Sequence, residues 1–463
     1  MKKIFIFIFV LFLFLSSLAW ATDYYVRPAS GEYGGEDGSS YAAAYDGESD
    51  IVWADVDSGN GKLFICGTHY QTFTPGVNGE DGTPIQLVSC TIANGATNDD
   101  PGIIDGGGSR DTAIDLDARS WITIDGISTQ NHSGGTLGAI QAATWGTVTE
   151  GIIIKNVSVI EANKNGISIS ANNSTIENST IDVGSGQPAT VTDALFLTWA
   201  GSYNQGQNIT VDGNTIYQRN GNGTAHHDAL QTHKNLNTVI KNNWIQAFDG
   251  NADSQTAMIE DHLGTLYVYN NVFVHNTNGN FNGAFLLWDN GSIWTADIYM
   301  WNNVVYNPKS GGWGTTFYVP AGDVKEVKNN IFISNNDYAI WFQSTPSTKT
   351  GIDYNCLYSG ASALARDGGG DKTWAQWTSA GYDDDGGINT DPSLDANYAP
   401  DAADDPVVDV GADLSVNFTT DKNGVTRTVF DIGAYEWVGV EPTGAHITIH
   451  SSITVHDSLT ISE

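Results

Sequence analysis

Along much of this chain the hydrophobic and polar positions follow one short phrase: apolar, any residue, Asn or Gly, Asn, any residue, apolar. It appears as Val211-Asp212-Gly213-Asn214-Thr215-Ile216 and as Ile240-Lys241-Asn242-Asn243-Trp244-Ile245. It returns at Val268–Phe273, Met300–Val305 and Val327–Phe332, so the second-turn asparagines fall at 214, 243, 271, 303 and 330. The steps are 29, 28, 32 and 27 residues. Looser copies lie at Ile154–Val159, Ile176–Ile181 and Ile352–Leu357. One strand-like phrase per irregular period of this size marks a solenoid. Paired Asn suits a sharp corner, because Asn tolerates left-handed backbone. No sustained 3.6-residue periodicity appears between 60 and 436. The pattern predicts an all-β chain folded as a parallel β-helix, right-handed because the coils are irregular. About twelve coils at ~4.8 Å give a rod roughly 55 Å long.

At the N-terminal side, Ser49 to Val56 carries Ser49 as an N-cap and apolar residues at 51, 52 and 56, which predicts a short helix. Val52 and Trp53 are expected to cover the open end of the first coil. Residues 360–400 lose the phrase and read as a long loop with Asp383-Asp384-Asp385-Gly386-Gly387 in it. Residues 22–437 are expected to form one β-helix domain, followed by an alternating tail or linker, 438–463.

Residues 1–21 have the form of a secretory signal: Lys2 and Lys3, an apolar run from Ile4 to Leu15, then Ala19-Trp20-Ala21. Export to the medium or cell surface follows, with no membrane span after cleavage. The formal charge is −34, with 53 acidic residues against 19 basic. Loss of the two signal lysines makes it −36. Such a chain is a poor partner for nucleic acid or anionic lipid; a monomer is expected. Cys66 and Cys90 each end a strand-like run, 24 residues apart, and can pair in an oxidising exterior; Cys356 reads as core.

The chain resembles secreted bacterial right-handed β-helix proteins of the pectate-lyase-like superfamily. The resemblance rests on Tyr24-Tyr25-Val26-Arg27-Pro28, Asp100-Pro101-Gly102-Ile103-Ile104-Asp105-Gly106, and a closing Asp421-x-x-Gly424-x-x-Arg427 with Asp431-Ile432-Gly433-Ala434-Tyr435-Glu436. It implies the fold over roughly 23–437 and leaves the activity open among polysaccharide lyases, glycoside hydrolases, epimerases and non-catalytic surface proteins; the reading is a protein that acts on or binds extracellular polysaccharide, a lyase ahead of a hydrolase.

Chemistry concentrates at His226-His227-Asp228-Ala229-Leu230-Gln231-Thr232-His233-Lys234. Laying 228–233 over 257–262 turns Gln231, His233, Glu260 and His262 outward on one face. His227, Asp228, His233, Lys234, Glu260 and His262 are therefore the candidate catalytic groups, as acids, bases or cations. Elimination from a uronate needs a base and a cation, for which Lys234, Arg219 and Lys164 are the nearest residues. Hydrolysis would draw on Asp193, Asp228, Glu260 or Asp261. Gln231, Arg219, Trp199, Trp288 and Trp313 are candidate substrate contacts, the tryptophans as stacking platforms; Trp294, Trp301, Phe317 and Tyr318 flank them. Asp261 is a candidate metal ligand. No cofactor is required, although calcium could sit there or in the 383–387 loop.

Overall fold

The computed structural model describes residues 23–56, 61–90, 100–132, 138–142, 149–162, 165–184, 193–197, 206–219, 227–248, 255–275, 283–288, 296–308, 315–319, 323–335 and 337–439. The signal segment 1–21, the distal tail and the residues Lys164, Trp199, His226, Trp294 and Trp313 lie outside them.

Most coils contribute one strand to each of three sheets, of thirteen, eleven and eleven strands and parallel but for one closing strand, with a further two-stranded pair of Thr149–Glu150 and Ala171–Asn172, and the chain is a right-handed parallel β-helix. One coil shows the order. Leu263–Tyr269 lies in the first sheet, Val272–His275 in the second and Phe285–Trp288 in the third. Inward residues alternate with outward ones, so Ile240, Val268, Met300 and Val327 stack from coil to coil, all fully buried. The third sheet packs Leu230, Ile259, Leu287 and Phe342 into the same apolar column.

The Asn pair makes the corner between the first and second sheets. Its first residue takes the left-handed conformation: Asn242 at φ 57°, Asn270 at 55°, Asn302 at 50° and Asn329 at 57°. Its second residue turns inward and stacks. Asn214, Asn243, Asn271, Asn303 and Asn330 each donate Nδ2 to the Oδ1 of the next, and Asn330 to Asn355, at 2.9–3.0 Å. Ser179 joins at one end through its backbone N–H to Asn214 Oδ1, and Asp383 accepts from Asn355 at the other. Buried amides that satisfy each other along the axis fix the register of the coils between Ser179 and Asp383.

Both ends are closed. At the N-terminal end the expected helix divides into a 3₁₀ turn, Glu48–Asp50, and one α turn, Trp53–Val56. Ile51 and Val56 join the core and Trp53 packs against it, but Val52 is 48 % exposed and covers nothing. The Cys66–Cys90 disulfide ties adjacent coils near this end. Cys356 is buried, which pushes its thiol pKa up.

The 360–400 stretch is not a long loop throughout. Ala365–Asp367 continues the third sheet and Gly370–Lys372 folds back antiparallel on it. A helix over Trp374–Ser379 follows, opened by a capping box of Thr373 and Gln376. It seats Trp377 on the core end, stacked on Tyr382 with ring centroids 3.9 Å apart and on Phe342 at 6.1 Å. The closing motif then latches onto the corner row. Arg427, fully buried, pairs with Glu436 at 3.0 Å and donates to Gly433 O and Asn270 Oδ1. Asn302 donates to the carbonyls of Asp431 and Gly433. Leu414, Phe418 and Phe430 of the same segment pack over Trp301.

Candidate functional site

The third sheet carries the outward-facing candidate residues. The register pairs Leu230 with Ala257, Gln231 with Met258 and His233 with Glu260. This differs by two residues from the alignment expected from sequence. A two-residue slip preserves which side chains face out, so Gln231, His233 and Glu260 stay on the outer face. It changes their neighbours: His233, not Gln231, lies beside Glu260.

His233 is the half-buried one among the described histidines; His69, His132, His227, His262 and His275 are all buried. Its Nε2 lies 3.9 Å from Glu260 Oε1 and 3.8 Å from Asp261 Oδ2. These separations are too long for hydrogen bonds. Gln231 Nε2 reaches Glu260 Oε2 at 3.5 Å. In an extended strand Glu260 and Asp261 would point to opposite faces. Asp261 is in the left-handed region, φ 50°, with its N–H donating to Trp288 O at 3.0 Å, and this turn brings both carboxylates to His233. Lys234 makes the equivalent turn one coil earlier, φ 57°, its N–H donating to Glu260 O at 2.9 Å. Burial lowers the His233 pKa below its ordinary value, helped by the Lys234 charge and opposed by Asp261. The balance of these effects favours the neutral imidazole over the charged one.

Beside this polar group runs an apolar strip. Met258, Leu286 and Tyr318 stack outward on successive coils, with Trp288 and Trp341 against them. Trp288 is the register partner of Glu260. Arg366 lies over the Trp341 ring at 5.0 Å. An apolar strip with a few convergent polar groups at one end is the usual make-up of a ligand site.

Three expected catalytic groups are elsewhere. Asp228 is fully buried at the corner entering the third sheet. Its N–H donates to Asp193 Oδ1 and its own Oδ1 accepts from Gln255 N–H. Asp193 N–H in turn donates to Asn165 Oδ1. These residues form a second axial ladder, and sequence reasoning missed it because its members differ in type; their spacings of 28, 35 and 27 residues were the available signal. His227, next to Asp228, is buried at the same corner. His262 does not face outward: the turn at Asp261 drives it into the core, where Nε2 lies 3.4 Å from Thr265 O and burial pushes its pKa down to about 4. Arg219 belongs to another face. It follows the second-sheet strand, pairs with Asp182 at 2.6 Å and lies over Tyr217 and Phe248.

Other expected residues divide in the same way. Phe317 is core and Trp301 lies on the first sheet under the C-terminal segment, whereas Trp288 and Tyr318 belong to the outward apolar strip of the third sheet. In the acidic loop, Asp383 is buried and ends the Asn ladder, with Trp377 Nε1 donating to its Oδ2 at 2.9 Å. Asp384 and Asp385 are exposed and close to Asp353. The Asp353 carboxylate accepts from the backbone of Tyr354, Asp385 and Gly386, so its place is explained by the turn itself.

The sequence matches no protein-family model, and no curated protein is similar to it. Among solved structures, it is similar to pectate lyase Pel9A at 14% identity, covering 91% of this chain and 98% of that one, with a TM-score of 0.38. The complex of XylC with xylose aligns at 10% identity over 89% and 98% of the two chains, TM-score 0.41. PfbA, a surface adhesin of Streptococcus pneumoniae, aligns at 12% identity over 66% and 78%, TM-score 0.36. No functional argument rests on likenesses this distant.

Proposed function

We propose that this chain is a secreted protein that acts on extracellular polysaccharide in the third-sheet groove, as a polysaccharide lyase. The observation that carries the reading is the union, on one outward face, of His233, Glu260, Lys234 and Gln231 with the Trp288–Met258–Leu286–Tyr318–Trp341 strip. Sugar rings present C–H faces that stack on aromatic rings and hydroxyls that need polar partners; the half-buried Trp288 and Trp341 would offer the ring faces and Gln231 and His233 the polar partners, over the buried Met258, Leu286 and Tyr318. In β-elimination the neutral imidazole of His233 takes the proton from the carbon beside a uronate carboxylate. The electron pair forms the new C=C bond as the glycosidic C–O bond breaks, and the leaving oxygen takes its proton from water. Lys234 supplies a positive charge for the developing enolate. Hydrolysis fits less well. It needs two carboxylates about 5–9.5 Å apart across the bond, whereas Glu260 and Asp261 lie within 4.8 Å of each other on the same side.

The test is incubation with a panel of acidic and neutral polysaccharides, read by ultraviolet absorbance of unsaturated ends and by reducing-end release. Unsaturated products from a uronate polymer are expected, falling at least ~100-fold in His233→Ala with the melting temperature unchanged. Reducing ends without absorbance would mean a hydrolase. Binding without cleavage would mean a surface or adhesion protein.

A further inference from the structure

We propose that His233, Glu260 and Asp261 form a binding site for a first-row divalent transition-metal ion, held by His233 Nε2 and one oxygen of each carboxylate. The binding stands on geometry alone; its effect on turnover rests on the groove reading above.

The three donor atoms lie within 4.8 Å of one another. Nε2 is 3.9 Å from Glu260 Oε1 and 3.8 Å from Asp261 Oδ2. Donors around a tetrahedral ion with bonds of about 2.1 Å stand about 3.4 Å apart, so the two imidazole separations close by roughly half an ångström and the carboxylate pair, within 4.8 Å, by at most about 1.4 Å. Small side-chain rotations suffice. Three protein ligands leave a fourth position open for water or a ligand. The scaffold is rigid: His233 and Glu260 are register partners on adjacent strands, and the left-handed turn at Asp261 is what aims consecutive carboxylates at one point. Gln231 holds Glu260 by Oε2, leaving Oε1 towards His233.

The donor set also selects the ion. Calcium takes six to eight oxygens and does not favour imidazole. One nitrogen and two carboxylate oxygens suit Zn²⁺, Mn²⁺ or Co²⁺, and two negative ligands balance the double charge. Nε2 has one lone pair. It accepts a proton in elimination or binds the metal, and it cannot do both. A bound ion therefore switches off the base.

The full chain, stripped with chelator, is titrated calorimetrically with Zn²⁺ and separately with Ca²⁺; Co²⁺ is followed by its visible absorption. One Zn²⁺ per chain is expected, displacing Co²⁺, with Ca²⁺ much weaker. His233→Ala and Glu260→Gln should each weaken Zn²⁺ at least ~10-fold, with unchanged circular dichroism. Asp261→Asn serves if either variant misfolds. Absence of saturable binding, unchanged binding in the variants, or preference for Ca²⁺ would overturn the site. If Zn²⁺ binds as expected but no glycan is cleaved, the metal site stands and the lyase reading falls. If a glycan is cleaved equally with and without saturating Zn²⁺, the shared use of His233 falls.

Discussion

Replacing Asn271 by Ala removes the centre of the inner asparagine ladder. Its side chain is fully buried and makes five hydrogen bonds. Nδ2 donates to Ile240 O at 2.8 Å, Tyr269 O at 3.0 Å and Asn303 Oδ1 at 2.9 Å; Oδ1 accepts from the backbone N–H and the Nδ2 of Asn243, both at 2.9 Å. The loss is smaller than five independent bonds. Asn243 Nδ2 keeps Val211 O and Lys241 O, and Asn303 Oδ1 keeps the Asn271 N–H. The Asn243 N–H loses its acceptor in a place water does not reach. One orphaned buried donor costs about 1–3 kcal/mol, and the remaining lost bonds about 0.5–1.5 kcal/mol each where a partner is left weakened. A destabilisation of about 3–4 kcal/mol follows. At about 2.1 cal/mol/K per residue over roughly 400 residues, this lowers Tm by about 4 °C. The internal control is the outer row. Asn237 is exposed, donates to Asn208 Oδ1 at 3.2 Å and accepts from Thr265 N–H at 3.0 Å, and water can replace both. Asn237 sits at φ 57°, so the control is Asn237→Gly, which keeps the left-handed backbone and should cost under ~1 kcal/mol. Urea unfolding and calorimetry of the two variants measure the contrast. An Asn271→Ala variant as stable as the parent, or equal costs for the two, would refute the ladder as the element that fixes register.

Arg427→Ala leaves Glu436 buried without its cation and frees the C-terminal latch, so it should cost about 3–5 kcal/mol in denaturant titration and expose the 414–437 segment to protease. Burial raises the Asp383 carboxyl to about 7 from an ordinary value near 4. The native state therefore binds more protons than the unfolded state between these values; the contribution is full below about pH 4 and is lost as pH rises through 7. Stability of the parent relative to Asp383→Asn should thus fall by up to about 1.4 kcal/mol per pH unit across that window; a flat difference would show the carboxyl to be ordinary. Thr373→Ala breaks the capping box of the closing helix and should cost about 1 kcal/mol.

The fold was legible because the Asn phrase fixes two things together, a left-handed corner and a buried amide that needs an identical neighbour one coil away. Neither survives in another architecture at those spacings. The outward placement of Gln231 and His233 was legible too, since alternation along Leu230-Gln231-Thr232-His233 is local. Its register was not, because loops of unequal length between coils hide which residue meets which. Asp228, His227 and His262 were expected on the outer face and are buried for one physical reason: they sit at corners, where strand alternation stops and backbone turns decide direction. Asp261 was underrated by the same rule, since only its left-handed turn brings it to His233. The C-terminal cap left a signal, Thr373-x-x-Gln376 ahead of Trp377, that is weak beside the Gly-rich turns around it.

The central claim is that the third-sheet groove holds the glycan. The most direct measurement is a crystal structure of His233→Ala soaked with oligosaccharides of the polymer that the parent cleaves. The account expects a sugar chain along the rod axis, with a ring on Trp288, Gln231 and Glu260 at its hydroxyls, and the uronate carboxylate towards Lys234. A chain bound on the first or second sheet, with the His233–Glu260 face empty, would contradict it.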